Sequence, residues 1–170
     1  RGCPPLGIAA EKGHHEVINV LCAAGADMNK ANDRGATPLY IAAQEDRIVC
    51  VDILSRLGAD PGQADAAGAT PLFVASGAGN VACITALVAM GADVNKARID
   101  GTTPLHMAVV KDRVLCVHAL CGMGADVNQV CKAGTAPLHL AAQLGHVTCT
   151  NALSALGADL NKPCKGGATA

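Results

Sequence analysis

The sequence predicts an all-α chain built as a stack of five short helix-pair units, each 33 residues long. Three observations carry that prediction. Pro5, Pro38, Pro71, Pro104 and Pro137 fall 33 residues apart, each followed by leucine. The triplet Gly-Ala-Asp recurs at the same spacing, starting at Gly25, Gly58, Gly91, Gly124 and Gly157. Apolar residues make up 51 % of the chain, yet only Tyr40 and Phe73 are aromatic. That composition suits close helix packing better than a β-sandwich core. Gly2, Gly35, Gly68, Gly101, Gly134 and Gly167 keep the same register, with no insertion or deletion. A fixed period of this length is the signature of a repeat architecture.

The second unit serves to justify each element. Thr37-Pro38-Leu39 starts a helix: the threonine hydroxyl can take a free N–H, and proline is tolerated at the first helical position. This helix runs through Tyr40-Ile41-Ala42-Ala43, whose small alanines let a neighbour approach. After Asp46-Arg47 a second helix carries Ile48, Val51, Ile53, Leu54 and Leu57 towards the interior. Gly58 ends it by supplying a left-handed residue, and Asp, Asn and Gly residues then form a turn-rich connector. One such pair cannot bury its apolar faces alone, so stability comes from contacts between stacked units. The predicted organisation is a single array over residues 1–170, with units near 1–32, 33–65, 66–98, 99–131 and 132–164. Residues 165–170 begin a further unit.

Composition narrows the function. Lys and Arg total 13 against 14 Asp and Glu, a formal charge of −1. Nucleic acid and anionic membrane surfaces both demand a basic excess, so neither is the expected partner. No apolar run approaches the roughly 20 residues of a membrane span.

The chain resembles the ankyrin repeat family. The matching residues are Gly101-Thr102-Thr103-Pro104-Leu105-His106 with Ala108, Gly134 to Ala142, Gly145-His146, Leu153, and the Gly-Ala-Asp-Val-Asn runs at Gly91 to Asn95 and Gly124 to Asn128. The resemblance covers essentially the whole chain. It implies antiparallel helix pairs joined by projecting β-turn fingers and stacked into a solenoid. It also implies protein–protein recognition through the concave face of fingers and first helices.

Some positions depart from the family pattern. Pro4 and Ala136 replace the capping threonine, which should weaken those helix starts by about 1 kcal/mol each. Gly7 replaces the aromatic or histidine of the first unit, and Asp46-Arg47 and Asp112-Arg113 replace Gly-His. Pro61-Gly62 replaces Val-Asn, so the shape of that finger is expected to differ. Arg1-Gly2 aligns with Arg34-Gly35, Ala170 occupies the next proline position, and neither end has a polar outer face. Further repeats or neighbouring chains are therefore expected to cover the ends.

No residues form a catalytic, cofactor-binding or metal-binding constellation, and no cofactor is expected. Cys50, Cys83, Cys116 and Cys149 occupy one column of the second helix, where stacked points lie roughly 8–10 Å apart. Bridged Cα atoms lie within about 7 Å. These cysteines read as small buried hydrophobes, while Cys131 and Cys164 share a finger column expected to be exposed. No C-x-x-C occurs, so zinc and haem signals are absent. Free thiols suggest a reducing, intracellular setting, the cytoplasm first. The resemblance gives His106 and His139 a structural role in hydrogen bonding between units. His118 shares a polar outer column with Asn19, Asp52, Thr85 and Asn151. Asp27, Asp60, Asp93, Asp126 and Asp159 form a column that reads as turn hydrogen bonding. No nucleophile elbow or P-loop is present.

The expected function is therefore a non-catalytic scaffold or adaptor that binds another protein. A permanently assembled structural subunit, or the regulatory segment of a longer enzyme, are the alternatives. Recognition should reside where the repeat frame varies: Asp33, Arg34, Gln44 and Glu45 in the second unit, Ile99, Asp100, Val110 and Lys111 in the fourth, and Lys132, Gln143 and Leu144 in the fifth. The third unit offers only Ala66, Ala67, Ala69, Gly77 and Ala78, a nearly side-chain-free stretch. Ile99, Val110 and Leu144 are the expected apolar anchors.

Overall fold

A computed structural model of the chain describes residues 2–164. The expected further unit at 165–170, with Gly167 and Ala170, lies outside the described residues, as does Arg1. The described residues form five helix pairs: α1 (Pro5–Lys12) with α2 (His15–Ala23), α3 (Pro38–Gln44) with α4 (Ile48–Arg56), α5 (Pro71–Ala78) with α6 (Val81–Ala89), α7 (Pro104–Val110) with α8 (Val114–Gly122), and α9 (Pro137–Leu144) with α10 (Val147–Ala155). First helices pack on first helices and second on second, in chain order. No strand occurs among the described residues. The architecture is the all-helical solenoid of helix pairs that the sequence predicts.

The helix starts follow from the Thr-Pro-Leu signal. Thr37, Thr70 and Thr103 accept the N–H groups of Tyr40, Phe73 and His106 at 3.1, 3.2 and 3.4 Å. Pro4 and Ala136 sit at the same position with no side-chain cap. The core is a continuous row of Leu6, Leu39, Leu72, Leu105 and Leu138 from the first helices. Against it lie Ile18, Leu54, Leu87, Leu120 and Leu153 from the second. The cysteine column Cys50, Cys83, Cys116 and Cys149 is buried within it, each a free thiol.

Three burial expectations need correcting. Leu57 does not face the interior: it caps the end of α4, past the last helical turn, and is 40 % exposed. Ala69 is buried, because its carbonyl closes the finger by accepting the Asp65 N–H at 2.9 Å. Cys131 and Cys164 are half-buried. Cys131 is tied into its finger by its N–H donating to the Thr135 carbonyl, and it packs against the preceding finger at Gly101.

The turns within each pair alternate along the stack. Gly13, Gly79 and Gly145 take positive φ in the first, third and fifth pairs, whereas Asp46 and Asp112 hold φ near 53° and 52° in the second and fourth. Asp tolerates this left-handed conformation better than most residues. The replacement also changes what joins the units. Arg47 and Arg113 reach back to the Glu11 and Gly77 carbonyls at 3.1 and 3.3 Å. Asp46 and Asp112 reach forward to accept from the Cys83 and Cys149 thiols at 3.6 and 3.2 Å.

Candidate functional site

Each finger is a tight turn closed on itself. The N–H groups of Asn32, Asp65, Arg98 and Cys131 donate to the carbonyls of Ala36, Ala69, Thr102 and Thr135 at 2.9–3.0 Å. Neighbouring fingers are then laced together at their tips. Ala66, Ile99 and Lys132 donate their N–H groups to the Arg34, Ala67 and Asp100 carbonyls at 3.1, 3.2 and 3.0 Å. The glycine column makes this approach possible: a Cβ on Gly101 would lie 2.7 Å from the Lys132 backbone nitrogen. With these backbone groups occupied, the fingers present side chains such as Asp33, Ile99 and Lys132 to the outside.

From the second unit on, the side chain two residues after the helix-starting proline ties one unit to the next. The Tyr40 hydroxyl donates to Asp65 at 3.1 Å. Burial, with the Asp65 carboxylate beside it, pushes the phenol up to about 12. Phe73 has the Arg98 guanidinium 5.3 Å from its ring centroid, and Arg98 also pairs with Asp100 at 3.4 Å. The Thr103 N–H donates to His106 Nδ1, leaving Nε2–H to donate to the Thr135 carbonyl at 3.1 Å. Burial holds this imidazole below its usual range, so it stands neutral at pH 7. His139 repeats the pattern, taking the Ala136 N–H and donating to the Lys162 carbonyl at 2.8 Å. Both histidines therefore have the structural role expected of them.

The other candidate ligands are also accounted for. Asp27, Asp60, Asp93, Asp126 and Asp159 each accept the N–H two residues on at 2.8–2.9 Å. His118 is exposed on the outer column. Among the described residues no group of three His, Cys, Asp or Glu side chains is placed to hold a metal ion. Burial pushes the Cys83 and Cys149 thiols up to about 12, with the facing Asp carboxylates adding to it. Such thiols are poor nucleophiles and poor ligands.

All eleven residues expected to meet a partner are exposed: Asp33, Arg34, Gln44, Glu45, Ile99, Asp100, Val110, Lys111, Lys132, Gln143 and Leu144. Four of them come together. Asp33, Arg34, Gln44 and Glu45 line a cleft of about 750 Å³ between the first two units. Sequence reasoning did not find the rest of its wall, which includes Cys3, Glu11, Tyr40, Ile41 and Asp65. Glu11 shares the repeat column of Gln44, Val110 and Gln143, and that column could have pointed to it. Ile99, at 64 % exposure, stands on a finger, whereas Val110 and Leu144, at 40 % and 47 %, end α7 and α9. The three expected anchors thus stand on a finger and at the ends of two first helices.

No curated protein matches the chain. The family model for ankyrin repeats matches in three copies, over residues 1–65, 50–131 and 96–164. Proteins of that family are in general protein–protein interaction modules and typically non-catalytic. With every described helix inside the matched residues, the chain belongs to the ankyrin repeat family.

Proposed function

We propose that this chain is a non-catalytic scaffold or adaptor that takes a protein partner on the face made by its fingers and first helices. The observation carrying this reading is the cleft of about 750 Å³, into which the variable residues Asp33, Arg34, Gln44 and Glu45 converge. Ile99, Asp100, Val110, Lys111, Lys132, Gln143 and Leu144 extend the contact along the later units. The nearly bare third unit lets a partner backbone lie close between these two regions. Residues 1–170 act in this reading as one array. A near-neutral charge of −1 suits a protein partner better than nucleic acid. None of the described helices is long and apolar enough to cross a membrane. Nine free cysteines, four of them stacked in the core, suit a reducing compartment.

The reading is tested by native co-purification of the protein with its partner, then by titration of that partner against variants. Gln44→Lys with Glu45→Lys should weaken binding at least about tenfold, the cost of one or two central contacts. Ile99→Asp with Val110→Asp should do the same from the other end. Unchanged affinity in both folded variants would remove the concave-face assignment. The low charged fraction, 16 %, favours a second reading as a permanently assembled subunit. A fixed-ratio partner surviving high salt would select it.

A further inference from the structure

The geometry points to a docking notch for a primary carboxamide, in a partner polypeptide the side chain of an asparagine, between the second and third units. The notch is apart from the concave cleft and shares no residue with it. That a partner uses it rests on the family's general role in binding proteins and not on the concave-face reading.

The chain itself shows what this kind of notch holds. Asn95 Oδ1 accepts the Asp126 N–H at 2.8 Å, and its Nδ2 donates to the Gly124 carbonyl at 3.1 Å. Asn128 treats the next unit identically, taking the Asp159 N–H at 2.9 Å and donating to the Gly157 carbonyl at 3.4 Å. Asn29 takes the Asp60 N–H at 3.0 Å. In each case an asparagine side chain bridges to the Gly-Ala-Asp turn of the following unit.

At the second unit that column holds Gly62, which has no side chain to offer. The receiving turn keeps its form. Gly91 has φ 92°, against 94° at Gly124 and 88° at Gly157. Asn95 donates its N–H to Asp93 at 2.9 Å, the distance found in the two following turns. The Asp93 N–H and the Gly91 carbonyl therefore stand in the same relation as the groups that hold Asn95 and Asn128, and no described protein group bonds to either. A cleft of about 220 Å³ opens over them, lined by Asp60, Pro61, Gly62, Thr70, Ala92 and Lys96 as well.

The chemistry selects the ligand. One donor and one acceptor side by side match a carboxamide, which carries one of each. A carboxylate would set an oxygen against the Gly91 carbonyl, and an ammonium would set a cation against the Asp93 N–H. Asp60 already accepts the Gly62 N–H at 2.8 Å.

The test uses N-acetyl-asparagine N-methylamide, whose side chain is its one primary carboxamide, as probe, followed by the backbone resonances of the whole chain. Saturable shifts at the Ala92 and Asp93 amides are expected, absent with N-acetyl-alanine N-methylamide and with N-acetyl-aspartate N-methylamide. Gly62→Asn should place the chain's own carboxamide in the notch. It should abolish the probe response and slow exchange of the Asp93 amide about 3- to 10-fold, the worth of one hydrogen bond. A Cβ there lies 3.3 Å from Asp60 Oδ1 and meets no other group within 4 Å, so the variant fits. Equal shifts with the alanine probe, or no saturable shift at all, overturn the docking. An unprotected Asp93 amide in Gly62→Asn overturns the geometry beneath it.

Discussion

Ala136→Thr should stabilise the protein, and the structure sets the magnitude. Ala136 has φ −86° and ψ 164°, close to the −79° and 165° of Thr37 and the −87° and 166° of Thr70. The backbone is therefore already placed for a capping side chain. Space is available by the same comparison, since Thr37, Thr70 and Thr103 are buried at the equivalent position with 1 %, 3 % and 1 % exposure. A hydroxyl added there accepts the His139 N–H, which has no side-chain cap now. Such a cap contributes about 1 kcal/mol, with a range of roughly 0.5–2. The reverse change, Thr103→Ala, should cost about the same, because it makes the fourth unit resemble the fifth. Urea unfolding followed by helical circular dichroism measures both, and amide exchange within α7 and α9 localises them. If Thr103→Ala destabilises while Ala136→Thr leaves the midpoint unchanged or lower, the equivalence of the two helix starts is refuted.

Three further outcomes follow from the packing. His106 is buried and held below its ordinary value of about 6.5. The unfolded chain thus takes up a proton first as pH falls, and the stability this group contributes is full above about 6.5 and lost progressively below it until the lower folded value is passed. His106→Gln should flatten the loss of unfolding midpoint between about pH 7 and pH 5; an unchanged slope would assign the loss to other groups. Asp46→Ala should destabilise by about 1 kcal/mol more than Asp46→Gly, because both lose the contact with the Cys83 thiol but only alanine holds a Cβ without a local polar group at φ 53°; equal costs would show that the backbone is not the source. At pH 8 a thiol near 12 is ionised roughly 10³ times less than a free one, so iodoacetamide should label half-buried Cys131 long before Cys83 and Cys149 in the native protein. Comparable rates read by mass spectrometry would mean that the core column opens readily.

Much of this molecule is legible in the sequence because one local pattern is written five times. The proline column marks the first helices, the Gly-Ala-Asp column marks the ends of the second, and the cysteine column marks the core. Much of what escaped depends on contacts between units, which no single period contains. Tyr40 and Asp65 are 25 residues apart and occupy unrelated columns, so their hydrogen bond and its place in the cleft wall emerge only on stacking. Ala69 reads as a free finger residue, yet closing the hairpin buries it. Leu57 continues the helical period but lies beyond the last turn. The Asp-Arg turns were visible as departures from the Gly-His pattern. Their two-way reach, Arg to the preceding unit and Asp to the following one, was not. Gly62 illustrates the same limit: its consequence is a pair of backbone groups on the next unit that no described side chain meets.

The central claim is that a protein partner occupies the finger and first-helix face. Hydrogen exchange on the natively purified complex, compared with the free protein, tests it most directly. The account predicts slowed exchange in the fingers around Asp33–Arg34 and Ile99–Asp100 and at the ends of α3, α7 and α9, with the outer sides of α4, α6 and α8 unchanged. Protection confined to the second helices, with the fingers and first helices exchanging as in the free chain, would contradict it.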